Sequence, residues 1–333
     1  MMARAEGGPL GKAGEQAYAS ITFNVKYNYA RIDLTGQTIK ATKNRLGAYL
    51  KALDSEVKGA TRDLKRDISR QLMYGGTTGA LTTCGVTDNA TTVVVDTTKF
   101  LQVGMLVDIL VTADGTTSTG AVDQTIATIP SATTFTIGSA VTTDATFSVY
   151  RQDNRNNEIT GIDVAIDSTG TYLGLNRATA GNEYWKAQQL DNNTTPRALS
   201  LALMQQACDE CDEDDGEVSI ILTDYAQRRA YLALLQQKQE IVNRMKLDFG
   251  FQAIGYNGIP VVADPDLWPS GRMYFIDEST FAMYEMSDIE WADEDGHILK
   301  WVTGYDGYEA LLVYYAELGC EAPRKNCVLE DLS

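Results

Sequence analysis

The chain has 333 residues, with 28 Lys and Arg against 45 Asp and Glu, so its formal charge is 28 − 45 = −17. That balance excludes sequence-independent binding to nucleic acid, or to an anionic membrane, as a property of the whole chain, because both need a cationic surface. Hydrophobic residues at 44% and aromatics at 9%, with 17 Tyr, suffice for buried cores and exclude wholesale disorder.

Residues 1–18 are rich in Gly, Ala and small polar residues, show no period and read as a flexible arm. No apolar run follows Arg4, and nowhere do about 18 apolar residues occur together, so neither an export signal nor a membrane span is expected. Phe23, Val25, Tyr27 and Tyr29 then alternate with polar residues, the period of a strand with one apolar face. The parity shifts to Ile32 and Leu34, which predicts a bulge or turn and a two-stranded β arm over 19–38. Over 45–73 the positions Leu46, Leu50, Leu53, Val57, Leu64 and Ile68 recur at steps of three and four, predicting a helix roughly 40 Å long with one core face. The opposite face is charged, with Lys58, Arg62, Lys65, Arg66 and Asp67 assigned to it, and the helix stops at Gly75-Gly76.

From Thr82 to Tyr150 the composition changes to Thr, Val, Ala, Gly and Asp, and Lys99 is the only basic residue. Short alternating stretches separated by Gly- and Asp-rich turns predict a small all-β barrel or sandwich with its own core, inserted into the rest. Further on, Thr195 is read as the N-cap of a helix that Pro196 opens and that runs to about Cys211. A strand at Val218–Leu222 and a helix from Asp224 through Ile241 follow. The turn Asn257-Gly258 then leads into strands at 259–263, 273–277, 281–286, 299–303 and 310–316.

No catalytic constellation emerges. The single histidine, His297, sits in an acidic turn with no partner for a dyad. Cys208 and Cys211 have the spacing of half a zinc site that Cys320 and Cys327 could complete in space, but the surrounding carboxylates oppose thiolate formation, and reduced structural thiols are the simpler reading. Aligning the run Asp212–Glu217 on a calcium loop puts Cys211 and Leu222 where carboxylates are needed. Gly75-Gly76-Thr77-Thr78-Gly79 follows a helix instead of opening one, unlike a phosphate loop. Neither an enzyme nor a cofactor is expected.

The order of a β arm, a spine helix ending in Tyr74-Gly75-Gly76-Thr77-Thr78-Gly79-Ala80-Leu81, then Ile220-Ile221-Leu222-Thr223-Asp224 and Gly258-Ile259-Pro260-Val261-Val262-Ala263-Asp264, resembles tailed-phage major capsid proteins of the Hong Kong 97-like fold. Residues 309–328, with Tyr314-Tyr315-Ala316-Glu317-Leu318, are similar to that family's closing strand. The resemblance implies an α+β fold divided as follows. Residues 1–18 form an N-terminal arm and 19–38 an extension loop. A peripheral domain takes 39–81, 151–189 and the strands of 286–320, and the inserted β domain takes 82–150. An axial domain takes 190–285, joined by a C-terminal segment 321–333. It implies that Phe23, Val25, Tyr27 and Tyr29 touch neighbouring subunits. It also implies a homo-oligomer of pentamers and hexamers, forming the icosahedral head of a virion assembled in the host bacterial cytoplasm. Partners would be scaffolding, portal and decoration or cement proteins, with packaged DNA nearby and no membrane. An upstream segment removed by proteolysis stays open, and no Lys–Asn cross-linking pair of the kind some relatives form can be matched here. The alternatives are an encapsulin-like cellular compartment shell on the same fold and, from a different class, a β-rich adhesin or carbohydrate-binding protein.

Overall fold

Apolar and polar residues alternate on both sides of the first strand, β1 (Lys26–Thr35): Ile32 and Leu34 are buried, whereas Tyr27 and Tyr29 are exposed. The computed structural model describes residues 20–37, 46–117, 120–237, 244–246, 252–293 and 296–333. The expected arm at 1–18, residue Ile241 and the side chains of Leu46, Leu50 and Leu53 lie outside the described residues. Helix α1 (Leu46–Met73) buries Leu64 and Ile68 and half-buries Val57. It ends where Gly76, at φ +58°, takes the left-handed conformation that costs glycine little. The buried Asp163 carboxylate then accepts the Gly76 N–H at 2.9 Å.

Seven strands follow: β2 (Thr82–Thr83), β3 (Thr87–Val94), β4 (Leu106–Val111), β5 (Gln124–Thr125), β6 (Thr128–Ser131), β7 (Thr134–Thr143) and β8 (Phe147–Arg151). They form one sheet in the order β2-β8-β4-β5 and another in the order β3-β7-β6. Val93, Ile109, Phe135 and Val149, each fully buried, fill the space between, and every member of this cluster falls between Leu81 and Val149.

The remaining elements are α2 (Ile162–Ala165), β9 (Thr171–Tyr172), β10 (Leu175–Asn176), β11 (Gln188–Leu190), α3 (Leu201–Glu213), β12 (Ile220–Thr223), α4 (Tyr225–Gln237), β13 (Arg244–Lys246), β14 (Gln252–Tyr256), β15 (Ile259–Ala263), β16 (Met273–Ile276), β17 (Phe281–Trp291), β18 (Lys300–Trp301), β19 (Gly307–Cys320) and β20 (Cys327–Leu329). A seven-stranded mixed sheet runs β11-β20-β16-β12-β15-β14-β13. Its strand β16 is buried on both faces because successive side chains point opposite ways. Met273 and Phe275 meet α3 and α4 through Met204, Cys211 and Tyr231, while Tyr274 and Ile276 meet Leu64 and Ile68 of α1. A second sheet, β1-β19-β17 with β18 on β19, packs Leu312, Tyr314 and Ala316 into the core that contains Leu64 and Ile68. The chain is thus a mixed α/β protein with few helices and many strands.

Three expectations need correction. Residues 20–37 hold one strand, not two, and β1 pairs with β19 of the same chain in unbroken register from Lys26↔Ala316 to Thr35↔Gly307. The parity shift at Ala30–Arg31 is therefore no bulge: the tyrosines belong to the outer face and Ile32 and Leu34 to the inner one. Thr195-Pro196 opens no helix, because Arg197 pairs with the C-terminal segment through Arg197 N–Asp331 O at 2.7 Å. Helix α3 begins after Ser200, whose hydroxyl accepts the Leu203 N–H at 3.2 Å. Asp67, assigned to the charged face of the helix, is buried.

Candidate functional site

Among the described residues no three His, Cys, Asp or Glu side chains come together in a set able to hold a metal ion. The four cysteines weighed for zinc are not gathered. Cys208 and Cys211 face the core of α3, where Cys211 hydrogen-bonds Cys327, whereas Cys320 lies in a separate cluster with its sulfur 3.6 Å from Thr280 Oγ1. All five thiols are buried and reduced, and burial pushes Cys208 up to about 12 and Cys320 up to about 11, far from thiolate formation at neutral pH. His297 lines a largely apolar cavity of about 480 Å³ with Ile32, Val57, Trp291 and Leu299, and Asp293 contributes a carboxylate to its wall.

What the described residues build instead is a set of braced surfaces. The brace is a polar network under β1. Arg70 donates to Glu158 at 2.6 Å and to Asp67 at 3.1 Å, and Arg151 reaches the same Asp67 oxygen at 3.0 Å. Gln71 Nε2 donates to Asn28 of β1 at 2.8 Å and to Asp67 at 3.0 Å, while its Oε1 accepts the Ile159 N–H at 3.0 Å. Burial pushes the Glu158 carboxyl up and Arg70 pulls it back. Asp163 and Glu317 are raised by the same cause, the loss of water around a buried charge. With one charge removed, the others would be left in a low-dielectric interior, so this network fixes the position of β1 on α1.

Above it lies the aromatic face. Tyr27 and Tyr29, each 53% exposed, both make edge-on contacts with Tyr315, at ring centroid distances of 5.0 and 5.7 Å. Arg31 and Asp33 continue the outer face as an exposed ion pair at 2.8 Å. The other two predicted contact residues turn inward. Val25 is half-buried, and Phe23 stacks on Tyr284 of its own chain at 3.9 Å. A crevice of about 860 Å³ separates β1 and α1 from the segment Lys99–Leu106, with Asp63, Arg66, Phe100 and Val103 in its walls. Lys99 spans its end, donating to Leu267 O at 3.2 Å beneath Trp268 at 5.7 Å, and Tyr74 stacks on Phe100 at 5.3 Å.

Two structural arginines escaped the sequence reading. Arg177, 1% exposed, donates to the carbonyls of Val164, Ala165, Thr169 and Trp185 at 2.8 to 3.0 Å, and burial pulls its pKa down. No periodic signal marks it, because its partners are backbone atoms. Arg70 escaped because charged residues are ordinarily assigned to solvent, although Asp67 stands three residues before it at the spacing of a helical ion pair.

The described residues thus form a long helix braced to a strand, further sheets and an exposed aromatic face on β1. The sequence profile of the SU10 major capsid protein family matches residues 11–333, and the chain belongs to that family, a class of phage head-shell proteins. No curated protein sequence matches it. Among solved structures, it is similar to the capsid asymmetric unit of cyanophage A-1(L), with 20% identity and a TM-score of 0.41 over 54% of this chain and 61% of that one. It is also similar to Gordonia phage Cozz, with 11% identity and a TM-score of 0.43 over 100% of this chain and 79% of that one. The satellite phage P4 procapsid, a structure that includes the size determination protein, gives 13% identity and a TM-score of 0.39 over 100% and 79%.

Proposed function

We propose that this chain is the repeating subunit of an icosahedral phage head, assembling as pentamers and hexamers around double-stranded DNA. The family match across residues 11–333 carries the reading. On it, α1 with the β1-β19-β17 sheet is the peripheral domain, the seven-stranded sheet with α3 and α4 is the axial domain, and residues 82–150 are an inserted domain on the outer face. Self-contained packing between Leu81 and Val149 supports reading residues 82–150 as a separate domain. Tyr27 and Tyr29 then contact a neighbouring subunit: a paired tyrosine face offers large, rigid contact area at low entropic cost. Scaffolding, portal and decoration proteins are the partners such a shell takes, assembly being in the host cytoplasm and the final location the virion. Negative-stain microscopy of the purified chain tests the proposal: closed shells or rings are expected, and a dispersed monomer under all assembly conditions overturns it.

A further inference from the structure

Between Tyr27 and Asp33, strand β1 presents a backbone edge that its own chain leaves unpaired. In an antiparallel pair, successive residues turn their N–H and C=O groups alternately toward the partner strand and away from it. Gly36 N donates to Asp306 O at 2.7 Å just beyond the Thr35↔Gly307 pair, and on the far side of β19 Ala292 N donates to Leu311 O at 2.8 Å. Both bonds fix the same phase: Asn28, Ala30 and Ile32 bond to β19, and Tyr27, Tyr29, Arg31 and Asp33 turn their backbone groups the other way. Strand β1 ends its sheet, and among the described residues those outward groups meet no partner. The ten-residue strand carries neither a bulge nor a proline, two devices that protect such an edge.

The crevice of about 860 Å³ runs along this edge. Every residue from Tyr27 to Asp33 lines it, outer-face and inner-face alike, which places it at the side of the strand and not over either face. At about 3.4 Å per residue that stretch is roughly 20 Å long. Helix α1 contributes Gly59 and Ala60, small residues that let a backbone come near, and an added Cβ at Gly59 meets nothing within 4 Å. Val103, 64% exposed, stands on the opposite wall. Asn28 Nδ2 and Arg151 Nε, on two of the lining residues, are buried donors without a partner, so the walls hold more donors than the chain satisfies. Five cationic and five acidic side chains line the crevice, which makes it locally neutral on a chain of net charge −17. A phosphate backbone finds no cationic excess there. A second copy, repelled by the surface at large, meets no net repulsion at this place. Extended polypeptide fits what the edge offers, because its N–H and C=O groups alternate at the spacing of β1 itself.

We propose that the unpaired edge of β1 receives an extended segment of a second copy of this chain, added as a strand within the crevice. The proposal rests on the shell-forming reading and adds the main-chain pairing that joins two subunits. The test compares amide hydrogen exchange, residue by residue, in the dispersed and the assembled full-length chain. Tyr27, Tyr29, Arg31 and Asp33 should exchange fast when dispersed and at least about tenfold more slowly in shells, whereas Asn28, Ala30 and Ile32 should be slow in both. Contact through the tyrosine rings alone would leave the four edge amides without acceptors. To identify the occupant, a photo-crosslinking phenylalanine replaces Val103 in shells grown from equal parts of isotopically heavy and light chain, and the cross-links should include heavy–light pairs. Gly59→Trp, which fills the crevice from α1, should raise the protein concentration at which shells appear at least about tenfold, while Gly59→Ala should not. Circular dichroism checks that both variants fold. Shells whose edge amides exchange as they do in the dispersed chain overturn the proposal and leave the shell reading intact. So do edge amides already protected in the dispersed chain, cross-links confined to one copy or to another protein, or a folded Gly59→Trp chain that assembles like wild type. A wild-type chain that never assembles overturns the shell reading and this proposal with it.

Discussion

The β sandwich of residues 82–150 and the body that carries α1 are stabilised in contrasting ways. The sandwich draws its core from one stretch of chain, Leu81 to Val149. The body assembles its core from Leu64, Ile159, Tyr274, Leu312 and Val328, positions spread over most of the sequence. Local contacts close short loops, so the sandwich can order early, whereas the α1 core cannot form until the last strands exist. Polar chemistry differs too. The sandwich uses exposed hydroxyl pairs such as Thr128–Thr136 at 2.7 Å and holds its buried Asp108 with backbone N–H groups, whereas the body buries ion-paired charges such as Arg70 and Glu158. A region that packs locally tolerates loss of its neighbours; one built from distant segments fails as a unit.

The sharpest way to break the contrast is Leu64→Asp, which puts a carboxylate into the body's core at a residue 6% exposed. A loss beyond about 5 kcal/mol is expected, leaving no soluble subunit; wild-type yield and melting would contradict the packing. Phe135→Ala acts on the other side. It should cost about 3–4 kcal/mol, confined to the sandwich. Hydrogen exchange should quicken across residues 84–149 and stay slow in β12, β15 and β16, and uniform acceleration would show that the two regions unfold together.

Acid should separate the regions next. Asp163 and Glu317 in the body have pKa values raised by burial. The folded state therefore holds protons that the unfolded chain releases, and body stability rises as pH falls from above the folded values toward the ordinary carboxylate range. In the sandwich, Asp114 and Asp144 are held below their ordinary value by hydrogen bonds from Thr116 and Thr146, so their contribution is present above the ordinary Asp range and lost as pH falls through the folded values. Exchange protection measured from pH 7 downward should show the body strengthening before the sandwich weakens. Asp163→Asn should flatten the body's share. The smallest effect is Gly59→Ala on α1, where an added Cβ meets nothing within 4 Å. It should stabilise the subunit by about 0.5–1 kcal/mol in denaturant titrations.

The sequence made regular elements legible where one face was apolar. The period of three and four marked α1, and Asn257-Gly258, with φ of +48° and +87°, marked the turn joining β14 to β15. The alternation of β1 was visible, but not which strand it would join, because β19 lies some 280 residues away and no local signal specifies it. The Thr195 N-cap failed for a related reason: its segment is claimed by the C-terminal residues, so tertiary pairing overrides helix propensity. Of the candidate surface, Tyr27 and Tyr29 were readable as one face of a strand, whereas Phe23 could not be known to stack on Tyr284. The Arg70 brace was hidden because charged residues are ordinarily assigned to solvent.

A cryo-EM reconstruction of the assembled chain bears most directly on its role as a shell subunit. Rings of five and six copies are expected, with residues 82–150 outward and the Tyr27–Tyr29 face covered by a neighbouring copy. Particles in which that face stays open to solvent, or in which residues 82–150 line the interior, would contradict the assignment of those surfaces.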